Sequence, residues 1–185
     1  ATEFIGEDGN STPYPAPDPS ANAVPTPEPT DGSDMAWITE KLQGEFLAYD
    51  CTDPANDPGS APADQPLITC DETGTVKYIL GPTELTGDAI DDATSGRDQQ
   101  SAAWTVNLTL DGHGTEVFGK ISQRLYQNQI DGLSPRDQFA FVLDGAVISA
   151  PQMNAQILNG KPSISGSFTQ ESAQALADQL RYGAL

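Results

Sequence analysis

Residues 104–125 read Trp-Thr-Val-Asn-Leu-Thr-Leu-Asp-Gly-His-Gly-Thr-Glu-Val-Phe-Gly-Lys-Ile-Ser-Gln-Arg-Leu, and this stretch decides the fold. Apolar and polar side chains alternate over 104–110, which predicts a strand with one buried face. After the turn that follows, apolar residues recur at three- and four-residue spacing, which predicts a helix with one apolar stripe. The stripe consists of Val117, Phe118, Ile121 and Leu125. A strand and a helix that each bury one side require helices packed on a sheet.

The residues on either side of this stretch predict further short elements. They are a helix at 35–49 capped by Asp34, strands at 76–80 and 164–168, a short helix that opens at 86–88 and stops near 95–96, and a last helix capped by Thr169 and stopped by Gly183. The predicted helices have one apolar stripe each, and the strands have one polar face. The fold class is therefore α+β, with a mostly antiparallel sheet and helices packed on one side.

A hairpin is predicted where Asp144-Gly145 separates the apolar runs 139–143 and 146–149. An Asp-Gly pair suits the two-residue type I′ turn because both of its central positions need a positive φ. A second turn signal, Asn159-Gly160, precedes the last predicted strand.

Proline and acidic residues dominate the start of the chain. Residues 1–33 contain no Lys or Arg and little apolar surface to bury, so they predict a disordered Pro/Asp/Glu-rich linker. The sequence thus predicts three segments: the linker at 1–33, an extension with a helix and a cysteine-bridged loop at 34–75, and a head domain at 76–185.

The charge balance excludes several function classes. The chain has 8 Lys and Arg against 27 Asp and Glu, a formal charge of −19, and its basic residues are scattered singly. Nucleic-acid binding needs clustered cations that neutralise phosphates, and docking on an anionic membrane surface has the same requirement. No apolar stretch approaches the roughly 18–20 residues of a membrane span, and no basic-then-apolar leader opens the chain. We therefore expect a soluble chain that binds no nucleic acid.

Two cysteines, Cys51 and Cys70, flank a loop rich in Pro, Asp and Gly. A disulfide that closes this loop would contribute roughly 3 kcal/mol on the loop-entropy argument. Free thiols and a metal site are the alternatives, although a metal would need more ligands than two thiols and the distant His113 supply. A disulfide would indicate an oxidising compartment outside the cytoplasm.

Patterns that indicate catalysis are missing. His113 is the single histidine and lies between two glycines in a predicted turn, which favours a solvated loop residue. The sequence has no Gly-x-Ser-x-Gly elbow and no Gly-rich loop ending in Gly-Lys-Ser or Gly-Lys-Thr. Asp88, Asp91 and Asp92 lie close together but lack the spacing of a calcium loop. We predict neither an enzyme nor a bound cofactor or metal.

Three ordered motifs mark the C-terminal half. Residues 141–151 read Phe-Val-Leu-Asp-Gly-Ala-Val-Ile-Ser-Ala-Pro, 164–169 read Ile-Ser-Gly-Ser-Phe-Thr, and 180–185 read Leu-Arg-Tyr-Gly-Ala-Leu. In this order and spacing they resemble motifs of SecD, a subunit of the bacterial SecDF protein-export complex, in the head region of its first large extracytoplasmic domain. The motif residues are Leu143, Asp144, Gly145, Gly166, Phe168, Tyr182 and Gly183. The Pro-rich arm and the cysteine pair resemble actinobacterial members.

The resemblance implies a polytopic cell-membrane protein that works with SecF and the SecYEG channel. Such proteins assist late preprotein translocation with the proton-motive force, and unfolded preprotein is the implied partner. This domain would lie on the extracytoplasmic side and reach the membrane only through transmembrane segments outside residues 1–185. The family's proton-carrying residues sit in membrane helices, so none is assigned here.

Exported chains share a backbone but no sequence, so a strand edge or a modest apolar groove would suit them. The Asp144-Gly145 hairpin and the loop at 151–160 are our candidates. The candidate contact residues are Val147, Ile148, Ser149, Ala150, Pro151, Gln152, Met153 and Asn154. Three alternatives remain, one of which is a hydrolase that would need a pocket with perturbed carboxylates. The hairpin could merely complete the sheet, and the chain could be a secreted or cell-wall-anchored glycan- or peptide-binding module on a Pro-rich stalk.

Overall fold

The computed structural model describes residues 3–5, 11–13, 16–53, 55–56, 58–98 and 101–183. These residues form nine short strands and three α-helices. The strands are β1 (Glu3–Ile5), β2 (Ser11–Pro13), β3 (Leu67–Cys70), β4 (Lys77–Leu80), β5 (Ile90–Arg97), β6 (Trp104–Leu110), β7 (Phe141–Leu143), β8 (Ala146–Ser149) and β9 (Ser163–Phe168). The helices are α1 (Glu40–Ala48), α2 (Gly112–Ile130) and α3 (Gln170–Gly183). The β1–β2, β3–β4, β5–β6 and β6–β9 pairs are all antiparallel, which confirms the α+β class.

The chain divides into two compact units. Unit 1 comprises Ala1–Thr83 and Val142–Ile148, and unit 2 comprises Glu84–Phe141 and Ser149–Leu185. The strands form several small sheets, of which the largest has three strands in the order β5-β6-β9. Within the part of the chain that the structure describes, no helix combines the length and apolar character that crossing a membrane requires.

The central strand of unit 2 is β6, as its alternating sequence predicted. Val106, Leu108 and Leu110 are at most 7% exposed. Helix α3 packs against all three strands of this sheet and buries the side chains of Ala173, Leu176 and Ala177. In the predicted stripe of α2, Val117 is half-buried, and Phe118, Ile121 and Leu125 are buried in one apolar cluster with Leu110 and Met153. Helix and sheet therefore bury their apolar sides in each other, which is the packing that the sequence required.

Side-chain caps begin both helices of unit 2. Asp111 precedes α2, and its Oδ1 accepts a hydrogen bond from the Gly114 backbone N–H at 2.6 Å. Thr169 precedes α3, and its Oγ1 accepts from the Ser172 N–H at 3.1 Å. These caps satisfy N–H groups that have no partner inside the helix. Gly183 is the last residue of α3.

The segment after Gly87 is a strand, so the helix predicted there is wrong. Gly87–Ala89 forms a single 3-10 turn, and β5 follows as an antiparallel neighbour of β6. The register of this pair shifts between Ile90 and Asp92, which marks a β-bulge. Because of the bulge, Ile90 lies opposite Leu110 and Ala93 opposite Leu108, on one face of β6. Ile90 and Ala93 therefore face the same side although they are three positions apart, and this spacing led to the wrong prediction of a helix.

The helix predicted at 35–49 is split in two. Asp34 caps a 3-10 helix at Met35–Trp37, where its Oδ1 accepts from the Ala36 N–H at 3.0 Å. Helix α1 begins only after a second cap, Thr39, whose Oγ1 accepts from the Leu42 N–H at 3.2 Å. A threonine hydroxyl competes for backbone N–H groups and favours a helix start over a helix interior. The apolar spacing thus predicted the helix but not its interruption.

The C-terminal end of α1 is fixed to the β3–β4 hairpin. A disulfide joins Cys51 to Cys70 with 5.9 Å between the Cα atoms, so the predicted pairing is present. Lys77 lies opposite Cys70 in the hairpin register. Its Nζ donates to the carbonyl oxygens of Phe46 at 2.6 Å and Tyr49 at 3.0 Å. A cation at the carbonyl end of a helix is the favourable placement for the helix dipole.

The Pro-rich arm is described only in part. Residues 1–2, 6–10 and 14–15 of the predicted linker lie outside the described residues. Residues 16–33 form turns and bends without helix or strand, and β1 pairs with β2. The Asp31 carbonyl oxygen accepts a 2.9 Å hydrogen bond from Trp37 Nε1, so the end of this arm contacts the first helical turn.

Candidate functional site

The β7–β8 hairpin turns at the predicted Asp-Gly pair. Asp144 has a φ of 49° and Gly145 a φ of 81°, the two left-handed positions that a type I′ turn requires. A Cβ at Gly145 would lie 2.8 Å from the Gly59 nitrogen and 2.9 Å from Pro58 Cγ. Both the backbone angle and the space therefore demand glycine here, and the hairpin prediction is confirmed.

Contacts from β3 hold this turn inside unit 1. The Thr69 hydroxyl donates to the Gly145 carbonyl oxygen, and Thr69 itself is buried. Asp71, just after β3, forms a parallel bridge with Val147 of β8. Val147 is 2% exposed, so its side chain belongs to the core. No sequence pattern pointed to Thr69 as the partner of the turn.

Asp71 also organises the turn between β3 and β4. Its carboxylate accepts from the Thr73 hydroxyl at 2.6 Å, from the Thr75 N–H at 2.7 Å and from the Val76 N–H at 2.9 Å. These hydrogen bonds lower the pKa of Asp71 from 3.8 to about 2, and the bond from the Thr73 hydroxyl has the largest effect. No sequence pattern indicated that one carboxylate would hold this turn.

The chain after β8 is fixed by the residues before β7. The Pro151 carbonyl oxygen accepts from the Phe139 N–H at 3.2 Å, and the Met153 N–H donates to the Asp137 carbonyl oxygen at 2.8 Å. Gln152 Nε2 donates to Asp137 Oδ2 at 3.2 Å. Asp137 is only 3% exposed, so this polar contact is largely shielded from solvent. Sequence reasoning missed Asp137 because its role depends on residues 15 positions away.

The loop at 154–160 lies against α2. Ser122 of α2 is buried, and its hydroxyl accepts from the Ile157 N–H at 3.0 Å. The next side chain, Leu158, is 55% exposed. Gly160 has a φ of 67°, and a Cβ there would collide with the Thr115 side chain at 2.0 Å. The predicted Asn-Gly turn is therefore a point of close approach between the loop and α2.

The eight candidate contact residues differ in their exposure. Val147 and Met153 are each 2% exposed and present no side-chain surface to a partner. The half-buried residues are Ile148, Ser149, Ala150 and Pro151, and the exposed ones are Gln152 and Asn154. Ser149 Oγ donates to the Ser165 carbonyl oxygen of β9 at 2.6 Å. Gln152 and Asn154 thus offer the accessible side chains of this segment.

The remaining motif residues lie on β7, β9 and α3. Leu143 is half-buried in β7. A Cβ at Gly166 would lie 3.2 Å from the Phe168 ring, so the glycine leaves room for this aromatic side chain. Phe168 is half-buried opposite Trp104 in the β6–β9 pair. Tyr182, in contrast, is 67% exposed on α3.

Two ion pairs of unit 2 were not predictable from the sequence. Arg124 binds Glu84 through two parallel hydrogen bonds of 2.9 and 2.5 Å. Arg181 of α3 binds Asp92 of β5 at 2.6 Å, and this carboxylate raises the pKa of Arg181. Asp92 therefore has a protein partner. Within the described ranges, no group of three His, Cys, Asp or Glu side chains is placed to hold a metal ion.

Comparisons with known proteins identify relatives for most of the chain. A family model described as "SecDF, P1 head subdomain" matches residues 65–185, about two thirds of the chain. The protein translocase subunit SecD of Streptomyces coelicolor is 40% identical over 154 residues, which cover 80% of this chain and 26% of the relative. The SecD of Mycobacterium tuberculosis strain H37Rv is 35% identical over 123 residues, which cover 65% of this chain and 20% of that protein. The chain thus spans about a quarter or less of the length of these relatives.

A solved structure is also similar. The crystal structure of SecDF in the super-membrane-facing form is 29% identical, covers 60% of this chain and 13% of that chain, and aligns with a TM-score of 0.47. The family match includes the type I′ turn, the β9 motif and α3. This chain therefore belongs to the family of SecDF P1 head subdomains, which are parts of a protein translocase.

Proposed function

We propose that this chain is the extracytoplasmic head region of a SecD subunit that binds emerging preprotein and assists export through SecYEG, together with SecF. The observation that supports this function most is the family match over residues 65–185. A glycan- or peptide-binding module on a Pro-rich stalk would not account for that match. This chain corresponds to 26% of the length of the Streptomyces relative. The activity of the whole protein is therefore proposed to depend on further segments as well.

The disulfide supports placement outside the cytoplasm. Cys51 and Cys70 are paired, and structural disulfides persist mainly in oxidising compartments. Attachment to the cell membrane is proposed to come from transmembrane segments outside residues 1–185. The excess of acidic over basic residues, 27 against 8, supports a head that does not itself bind anionic lipid.

The head is proposed to act as a passive grip. A domain outside the cytoplasm has no ATP supply, so work must come from the membrane, where one charge crossing 100 mV releases about 2.3 kcal/mol. The head would hold unfolded chain and resist its backsliding while membrane segments supply the driving force. We expect no catalytic turnover of its own.

The proposed preprotein contact is the surface around Gln152 and Asn154. These side chains are exposed, while Pro151 and Met153 beside them are fixed by backbone hydrogen bonds to 137–139. A fixed segment with exposed polar neighbours can bind extended chains without first being ordered, which lowers the entropic cost of binding.

Site-specific crosslinking in the full-length protein tests this proposal. A photoreactive amino acid replaces Gln152 or Asn154, and a preprotein is stalled in the translocon. A matched probe at Gln123, which is exposed on α2, serves as the control. We expect stronger crosslinks to the stalled chain from Gln152 and Asn154 than from Gln123. Equal yields from all three positions would reject this contact surface.

A further inference from the structure

Helix α1 is fixed at both ends by specific contacts, but its side chains are only partly buried. None of its residues is buried, and Leu47 is 45% exposed. A helix of nine residues is marginal in water unless other contacts stabilise it. Here the Thr39 cap, the Lys77 contacts and the neighbouring Cys51–Cys70 disulfide supply such contacts. The described chain therefore keeps this helix in place while leaving its apolar side chains accessible.

A groove of about 610 Å³ runs between α1, the loop after it and the start of β3. Such a volume falls within the range of protein ligand sites. Its apolar lining includes Leu42, Tyr49, Pro58, Pro66, Leu67 and Ile68. All six are half-buried, so each retains surface that a partner could cover. The whole lining lies within unit 1.

The charged part of this lining is entirely acidic. Glu45, Asp50 and Asp53 line the groove, and no Lys, Arg or His is among the described residues that line it. Asp50 accepts hydrogen bonds from the N–H and hydroxyl of Thr52, and these bonds lower its pKa. Its charge also attracts Lys77, so the groove keeps an excess of negative charge rather than three unopposed carboxylates. Lys41 pairs with Glu45 at 3.8 Å with both side chains exposed, a contact that neutralises little charge. The groove thus combines apolar surface with a negative field.

We propose that this groove binds an extended polypeptide segment that carries apolar side chains and Lys or Arg. Helix α1 has nine residues and is about 13–14 Å long, which corresponds to roughly four extended residues. The apolar lining would take apolar side chains, and the carboxylates would take the cations, so the two features together select the peptide class. This proposal rests on the proposed function in one respect, because the preprotein would be the natural source of such segments.

Peptide binding to the 185-residue chain tests the groove directly. Two labelled ten-residue peptides share the same Val, Leu and Ser residues, and one contains three Lys where the other contains three Glu. Fluorescence anisotropy at low salt should show about tenfold tighter binding of the Lys peptide, because each exposed charge pair contributes modestly. Leu42→Asn and Asp53→Asn should each weaken binding of the Lys peptide at least threefold.

Matched variants show whether binding occurs in the groove. Leu133→Asn and Asp64→Asn remove an exposed leucine and an exposed acid outside the lining, and they should leave the affinity unchanged. Circular dichroism confirms that every variant is folded. Three results would overturn the inference: no binding, equal affinity for both peptides, or equal loss in lining and control variants. Self-association that Leu42→Asn abolishes would assign the groove to a second copy instead.

The experiments distinguish failure of the peptide groove from failure of the proposed preprotein contact at Gln152 and Asn154. Crosslinks from Gln152 and Asn154 without peptide binding at α1 would reject the groove and leave the proposed function intact. Peptide binding that Leu42→Asn weakens, without any crosslink to a stalled preprotein, would support the groove and reject the proposed contact surface.

Discussion

Replacement of Asp71 by Asn tests how one carboxylate stabilises unit 1. Asp71 is half-buried, and it accepts hydrogen bonds from Thr73, Thr75 and Val76 in the β3–β4 turn. It also bridges to Val147 through the backbone, so the turn contributes to holding β8. Asn keeps the size of the side chain but removes its charge. Hydrogen bonds to a charged acceptor are the stronger ones, so the variant should be less stable.

The pKa shift gives the magnitude and its pH dependence. A shift from 3.8 to about 2 would correspond to roughly 2.4 kcal/mol at 1.36 kcal/mol per pKa unit. Solvent screens this partly exposed carboxylate, so we expect Asp71→Asn to lower the free energy of unfolding by about 1 kcal/mol at pH 7. Because the folded pKa is the lower one, this stabilisation is complete above about pH 4. It disappears as the pH falls through 2.

Urea denaturation followed by tryptophan fluorescence measures this effect in unit 1. Trp37 lies in unit 1 and Trp104 in unit 2, so a Trp104→Phe background makes Trp37 the reporter. The difference between wild type and Asp71→Asn should shrink towards zero between pH 4 and pH 2. Glu72→Gln, an equal loss of charge at an exposed position of the same turn, should change stability by less than about 0.5 kcal/mol. A difference that stays constant with pH would refute the electrostatic explanation.

Two further substitutions probe the hairpin and the disulfide. Gly145→Ala should destabilise by at least about 1–2 kcal/mol because the residue needs a positive φ and contacts Pro58, whereas Gly112→Ala, with open space around it, should cost little. Hydrogen exchange of β7 and β8 amides reports this loss, and equal protection in both variants would contradict it. Replacing both Cys51 and Cys70 by Ser should lower the unfolding free energy of unit 1 by about 3 kcal/mol, measured by urea denaturation under non-reducing conditions. An unchanged midpoint would show that the loop constraint does not stabilise the fold.

Local patterns predicted most of unit 2 because its elements obey a single period. The alternation of β6 and the stripe of α2 each match the burial of their side chains. The Asp-Gly turn was predictable because only a few residue pairs accept two positive φ angles. The pattern misled at β5, where a bulge places Ile90 and Ala93 on one face despite their three-residue spacing.

The candidate site was less predictable than the fold. The motif at 141–151 indicated where to look, but the burial of Val147 and Met153 depends on partners far along the chain. Thr69 contacts Gly145 across 76 positions. A contact between distant residues leaves no periodic trace in one sequence, so its existence follows only from the packed chain.

The sequence by itself determined the α+β class, the sharp hairpin, the excess negative charge and the family resemblance, because each of these depends on residue type and short-range spacing. Only the tertiary structure decided which motif residues remain accessible and that the apolar side chains of α1 keep partly exposed surface beside an acidic groove. The difference between what the sequence and the structure determine comes from side-chain burial. Whether a side chain meets solvent depends on every segment that packs around it, and those segments are brought together only when the chain folds.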